Sequence, residues 1–435
     1  HITIRGNSIH DISFSANPGD PVTANTKSHP VLVTGNDTAI AISNVLITGN
    51  EIFNCRTGVS DAVYISGNVD GFSVNANRVH DVSNDGIVVA GHTGSCADAA
   101  DDCPRNGDLR WNNTWDCVAG SASVAGISID GAKKITVENN LSFGNGFGIE
   151  VTCRKTGETS SDIIVRNNIV YNNLEGGLII GGYNYPAGSG MVVSSSFTNN
   201  TIVNNYLSGN PNGEIIIVFC EYVSIRSNIV YTISSSDPLV SANSGLTGLV
   251  LDDNLYYSTS APQFSSGAGT AASLPAWATL VSGEAHSVYG DPQFLDGSAM
   301  NFHLLASSPA IDAGDSSYVV SITETDMDTM MRVQNDRIDI GADEYGTAVG
   351  FFQGRNPASP KVLYDRVSGS LQVIYPSPAR KNATVNLTGV DGKVISSTEI
   401  EKGKNSVSFD VSELPVGTYI IYSDDMKYSG VKFVR

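Results

Sequence analysis

The sequence predicts an all-β protein in which a long run of short strands coils into a parallel β-helix and a small β-sandwich follows at the C-terminus. Three observations predict it. First, an asparagine recurs behind a short polar lead-in at Asn7, Asn50, Asn77, Asn113, Asn140, Asn168, Asn200, Asn228 and Asn254, with spacings of 27, 36, 27, 28, 32, 28 and 26 residues from Asn50 onward. Second, strands of three to five residues flank each asparagine with no helical segment between them, so crossover helices cannot connect them and the chain must wind. Third, the alternation lapses near residue 347 and a different strand pattern follows it.

The first element, residues 1–289, holds the coils. In a β-helix successive turns stack at about 4.8 Å, so a buried asparagine at one corner meets its counterparts above and below. The asparagine corners and strands such as Gly126-Ile-Ser-Ile-Asp130-Gly resemble the right-handed parallel β-helix proteins of the pectate-lyase-like superfamily. That resemblance covers about residues 1–260 and implies the fold. Its members are lyases, hydrolases, esterases, tailspikes and adhesins, so it does not choose among functions. The chain opens on His1 without a start methionine or signal segment, which reads as a domain lacking some N-terminal coils.

Residues 290–346 contain Gly-Asp-Pro-Gln-Phe294, Ser-Pro-Ala-Ile-Asp312 and Arg-Ile-Asp339-Ile-Gly-Ala-Asp343-Glu344, and resemble a segment that often closes bacterial β-helices. It is expected to cap the C-terminal end of the coil, where an open edge invites aggregation. Its acidic cluster reads either as turns or as a Ca²⁺ site. Residues 347–370 read as a linker. Residues 371–435, with Tyr375-Pro-Ser377-Pro, an Asp391-Gly392 turn, Pro415-Val-Gly417-Thr-Tyr and a terminal Lys-Phe-Val-Arg435, resemble the type A sorting domain of the type IX secretion system, Ser377 standing where that family commonly has Asn. The resemblance implies a small β-sandwich, the secretion machinery as a partner, and export to the medium or the outer cell surface of a Bacteroidota-type bacterium.

The chain's 435 residues carry 25 basic against 44 acidic side chains, a net charge of −19, which argues against nucleic acid because phosphate binding needs a basic stripe. The longest strongly apolar run, Ile215 to Cys220, is far below the roughly 20 residues of a bilayer span. A monomer is expected. Of six cysteines, Cys96 and Cys103 bracket a short loop and are candidates for a disulfide.

Candidate site residues come from aligning the strands that precede the corners: Ala62 to Ser66, Gly86 to Ala90, Gly126 to Asp130 and Gly148 to Thr152. Alternation sends Ile65, Val89, Ile127, Ile129, Ile149 and Val151 inward, and turns Tyr64, Ser66, Ser128, Asp130, Glu150 and Thr152 toward solvent. Asp130 and Glu150 lie one coil apart and two residues offset, so their Cβ atoms are about 8 Å apart and their carboxylates within about 5–9 Å, the range used by retaining and inverting glycosidases. Asp61 and Asp85 share a column of adjacent coils, where stacked carboxylates must be protonated, paired or bridged by a metal. They read as Ca²⁺ ligands, as an acid, or as turn residues. His92 and Arg105 flank the long excursion after Ala90, and Tyr64 and Tyr183 offer faces to a sugar, as do Trp111 and Trp115 unless they are core.

Three functions follow. A secreted acid/base glycoside hydrolase, needing no cofactor, would act on a polysaccharide or oligosaccharide through Asp130 and Glu150, with Tyr64, Ser66, His92, Arg105, Ser128, Thr152 and Tyr183 binding substrate. A lyase would use Arg154 as base in β-elimination from a uronic acid polymer, with Asp61 and Asp85 holding Ca²⁺. A non-catalytic surface adhesin is the third. Uniform repeats are expected of an adhesin, and the jump to a 36-residue coil with acidic residues at Asp130 favours an enzyme.

Overall fold

The computed structural model describes residues 1–119, 124–182, 184–206, 213–234, 236–321, 324–333, 337–346, 361–365, 369–375, 378–379, 381–389, 393–415, 418–423 and 431–434. The first 289 residues form a parallel β-helix of three stacked sheets, of 13, 10 and 10 strands among the described residues. Each coil passes through the three sheets in turn, as at Lys133–Glu138, Leu141–Phe143 and Phe147–Thr152, and from residue 159 onward the first sheet takes two short strands per coil, beginning with Thr159–Ser161 and Ile164–Arg166. The inward columns of Val, Ile and Leu fill one continuous core, to which Ile65, Val89, Ile127, Ile129, Ile149 and Val151 all belong, as their alternation requires.

Two asparagine ladders hold the corners. Between the first and second sheets, Asn7, Asn50, Asn77, Asn112, Asn140, Asn168, Asn200, Asn228 and Asn254 form one chain, each donating its side-chain N–H to the Oδ1 of the next at 2.9–3.1 Å. The residue ahead of each takes a left-handed conformation, with φ of 55° at Asn139, 57° at Asn167 and 57° at Asn199. This explains the Asn-Asn pairs: the first asparagine tolerates the turn and the second enters the ladder. The same rule corrects the sequence assignment of Asn113. Trp111 occupies the left-handed position at φ 59°, Asn112 joins the ladder, and Asn113 opens the next strand.

A second ladder of Asn145, Asn173 and Asn205 lies between the second and third sheets and ends on Glu214. Glu214 is fully buried, accepts both the main-chain and side-chain N–H of Asn205, and is pushed by burial up to about 8. Because its folded pKa lies above its unfolded value near 4.5, its contribution to stability is complete below that value and is lost as pH rises toward about 8. Glu214→Gln keeps the acceptor and removes the charge. It is expected to raise the thermal midpoint at pH 8 and leave it unchanged at pH 4, a difference that differential scanning calorimetry reads directly.

The C-terminal end of the coil is closed by an antiparallel strand pair, Phe264–Ser266 with Gly269–Ala271, and by the helix Leu274–Val281. Ser273 caps that helix, and its buried Trp277 stacks on Phe264 at 5.2 Å. Residues 290–346 do not form this cap. They run along the flank at the asparagine corner: Asn139 donates to the carbonyls of Thr325 and Asp326, Arg166 pairs with Glu324 at 2.6 Å, and Ala342 N donates to Thr201 Oγ1. The reason is apolar. Phe302, Met327 and Ala342 cover Leu141, Ile169 and Val203, which point outward from the second sheet and would otherwise face water.

The outer face of the second sheet carries a stack of rings, His10, Phe53, His80, Trp115, Phe143 and Tyr171, at spacings of 4.0–5.8 Å. Trp115 thus belongs to an external ladder and not to the core. Cys96 and Cys103 are separate buried thiols, directed at the carbonyls of Asp37 and Gly131.

The last domain is a sandwich of a three-stranded and a four-stranded antiparallel sheet around a core that includes Leu371, Val373, Val385, Leu387, Phe409 and Val411. Its first strand, Lys361–Asp365, lies inside the segment read as a linker. Residues 347–360, Ser377, the Asp391-Gly392 turn and Gly417 lie outside the described residues.

Candidate functional site

The third sheet carries the candidate residues. Register pairs Asp130 with Thr152 and Ser128 with Glu150, and pairs Val63 with Ile87, which sets Asp61 and Asp85 in one column. The outward stripe, however, does not lie open to solvent. Ser66, Ser128 and Thr152 are fully buried, and Asp61, Asp85, Asp130 and Glu150 are 6–9% exposed.

Two neighbouring segments pack against the ends of these strands. The excursion after Ala90 brings Ser95 Oγ within 3.1 Å of Ser66 Oγ and lays His92 against Gly131. The chain beyond Thr152 returns Ser160 Oγ to Gly131 N at 2.7 Å. Ser66 and Thr152 are consequently engaged inside the protein, with Thr34 and Ser95 and with the carbonyl of Gly181. They line the floor and do not present free hydroxyls to a ligand.

Arg154 organises the centre. Its backbone N–H and Nη1 donate to the two oxygens of Asp130 at 2.7 and 3.2 Å, and its Nη2 donates to Glu150 Oε2 at 2.7 Å. Ser128 Oγ donates to the same Glu150 oxygen at 2.8 Å. A guanidinium clamped between two carboxylates in this way is a fixed cation that orients them. That geometry opposes the role of Arg154 as a proton-abstracting base.

Asp61 and Asp85 sit in a contrasting environment. The two carboxyls neighbour each other, Asn84 Nδ2 donates to Asp61 Oδ1 at 2.8 Å, and Ala125 N donates to Asp85 Oδ1. Burial, then the charge of Asp85, pushes Asp61 well above the usual carboxylate range, against the pull of Arg154. Burial, then the charge of Glu150, raises Asp85 to about 6. Both carboxyls of this pair are thereby shifted toward the protonated form, whereas Asp130 and Glu150 accept bonds from the Arg154 guanidinium.

Tyr64 borders both pairs, half-buried and stacked on His29 at 5.0 Å; burial and the charges of Asp61 and Asp130 lift its phenol to about 12, so it acts as a neutral donor. The side chain of His92 is 4% exposed and lies 3.7 Å from Glu158, with burial holding it below its ordinary range. Arg105 is not brought into the site. It starts a strand of the first sheet and is spent on Asp70, Asn68 and the carbonyl of Cys103. Tyr183 lies outside the described residues.

Sequence reasoning missed Asn84, His29 and Glu158. Asn84 carried a signal, since an asparagine directly before Asp85 and Gly86 was read only as turn chemistry. His29 and Glu158 carried none, because each reaches the site through a loop whose path alternation does not specify.

Residues 367–434 match a family model described as the secretion system C-terminal sorting domain. The chain is thus a secreted or cell-surface protein bearing a type IX sorting tail, and no helix among the described residues is long and apolar enough to cross a membrane. An uncharacterized protein of Bacillus subtilis (strain 168), YwoF, is 27% identical over 277 residues, which cover 61% of this chain and 58% of that protein. The match thus spans less than two thirds of that relative's length. Among solved structures, the complex of XylC with xylose aligns over 97% of this chain and 66% of its own, at 9% identity and a TM-score of 0.38. The A-module of the mannuronan C-5 epimerase AlgE4 of Azotobacter vinelandii aligns over 57% and 74%, at 13% identity and a TM-score of 0.31. The tailspike protein gp49 of Acinetobacter baumannii bacteriophage Fri1, a capsular polysaccharide depolymerase, aligns over 94% and 64%, at 10% identity and a TM-score of 0.27.

Proposed function

We propose that the protein is an exported enzyme that hydrolyses glycosidic bonds of a polysaccharide. The observation that carries this reading is the opposition of two carboxyl pairs on one face of the third sheet: Asp61 and Asp85, which burial shifts toward the protonated form, and Asp130 and Glu150, held by Arg154. Acid/base glycoside hydrolysis needs that division of labour. The Asp61–Asp85 pair passes its proton to the leaving oxygen as the C–O bond breaks. Glu150, oriented by Arg154 and Ser128, takes the developing positive charge at the anomeric carbon, either by direct attack or by removing a proton from water. Tyr64 donates to a sugar hydroxyl beside them.

A purely structural β-helix has no use for this arrangement, because four buried carboxyls around one arginine cost stability. The elimination reading retains one supporting observation, a fixed guanidinium able to neutralise a uronate carboxylate, with Ca²⁺ assigned in that case to Asp61 and Asp85. The test is incubation with a panel of plant and algal polysaccharides, with and without EDTA, following reducing ends and absorbance near 235 nm together. Reducing ends without absorbance, abolished in Glu150→Gln, are expected. Absorbance that EDTA removes would transfer the assignment to a calcium-assisted lyase, and silence across the panel would leave the adhesin.

A further inference from the structure

We propose that His303, Asp328 and Asp343 form a divalent transition-metal site, for Zn²⁺ or Mn²⁺, that fastens residues 290–346 to the flank of the β-helix. One donor atom of each lies within 4.8 Å of the others, and all three residues are 3–4% exposed. The donor set is one imidazole and two carboxylates, which suits these ions better than Ca²⁺, whose ligands are all oxygen.

Two independent observations point to a bound cation. Asp343 Oδ1 is buried with no hydrogen-bond partner, a state that a native carboxylate avoids unless an ion completes it. The imidazole is also arranged as a ligand: His303 Nδ1 meets Asn301 Oδ1, fixing the ring and aiming Nε2 at Asp328 Oδ2, 3.0 Å away. Metal-bound histidines are oriented by such second contacts.

The charge balance leads to the same place. Asp326, Asp328, Asp339, Asp343 and Glu344 are all buried within this segment, and the buried arginine beside them, Arg332, pairs with Glu344 at 3.1 Å. Even with the His303 imidazole counted as a cation beside Arg332, five carboxyls outnumber the positive groups, an excess that a divalent ion relieves. His303 also borders a cavity of about 260 Å³ lined by Tyr171, Met300 and Phe302.

The experiment is metal analysis of the full chain, expressed in medium supplemented with zinc and manganese and then dialysed. About one equivalent of metal per chain is expected, against less than about a tenth in Asp343→Asn. Chelation is expected to lower the first thermal transition of the wild type and leave that of the variant unmoved. Should the variant not fold, Co²⁺ titration of chelated wild-type protein provides the second readout, a visible ligand-field band saturating at about one equivalent. Metal-free protein whose melting does not respond to added Zn²⁺, Mn²⁺ or Co²⁺ would overturn the proposal and leave a protonated histidine–carboxylate cluster. The reading does not depend on the function proposed above, since it concerns the flank and not the carboxyl pairs of the third sheet.

Discussion

Asp61→Asn is expected to fold like the wild type and to lose polysaccharide hydrolysis by roughly 10²- to 10⁴-fold in kcat, the usual contribution of a positioned general acid. The fold is expected to survive because burial favours the neutral form of Asp61. Its Oδ1 accepts from Asn84, and an asparagine oxygen accepts that bond equally well. The amide nitrogen replaces the carboxyl O–H as donor to Asp85, while the transferable proton is gone. A drop in kcat with KM within a few-fold and an unchanged thermal midpoint would mark an acid, whereas a loss of stability alongside activity would mark a packing residue.

The pH dependence tests the same group by a different route. As pH rises through about 6, Asp85 gives up its own proton and the pair is left with one, held more tightly. Hydrolysis is therefore expected to be fastest on the acid side of 6 and to fall above it. Stability follows the same sign. Asp85 has a folded pKa raised above the carboxylate value of 3.8, so its favourable contribution is complete below about 4 and is lost on the way to 6. The β-helix is expected to unfold at a higher temperature at pH 5 than at pH 8, and the slope is expected to be shallower in Asp61→Asn. A profile rising through pH 6 would remove the Asp61–Asp85 pair from the acid's role.

The coil was legible because its signals are local and periodic. Alternation assigns Ile127, Ile149 and Val151 to the core from two-residue spacing alone, and column position follows from coil length, so Asp130 and Glu150 fall where counting puts them. Counting failed by one residue at Asn113, where a tryptophan occupied the turn position usually filled by a small or amide side chain. Burial was not legible. Whether an outward column meets water depends on where loops travel, and the excursion that brings Ser95 and His92 against the third sheet has no period. The closing segment was misplaced for a related reason. Its motif announces that something exposed must be covered, but Leu141, Ile169 and Val203 look in sequence like any strand residues, and only the three-dimensional stack makes them a flank in need of cover.

Asn140→Ala, by contrast, is expected to cost roughly 3–5 kcal/mol, because one side chain there satisfies buried groups on the coils to either side. Asn140 Oδ1 accepts the backbone and side-chain N–H of Asn112 at 2.9 and 3.0 Å, while its Nδ2 donates to Leu109 O at 2.9 Å and to Asn168 Oδ1 at 3.0 Å. Alanine leaves those partners in a fully buried corner without room for water to replace the amide, and each abandoned group costs about 1–3 kcal/mol. Asn140→Asp would fare no better, because a carboxylate facing Asn168 Oδ1 sets two acceptors against each other. The exposed Asn25 provides the comparison: Asn25→Ala is expected to stay within about 0.5 kcal/mol of wild type. Denaturant unfolding followed by far-ultraviolet circular dichroism measures both, and near-equal midpoints for the two variants would mean that stacking of the inward aliphatic columns, and not the ladder, holds the coils together.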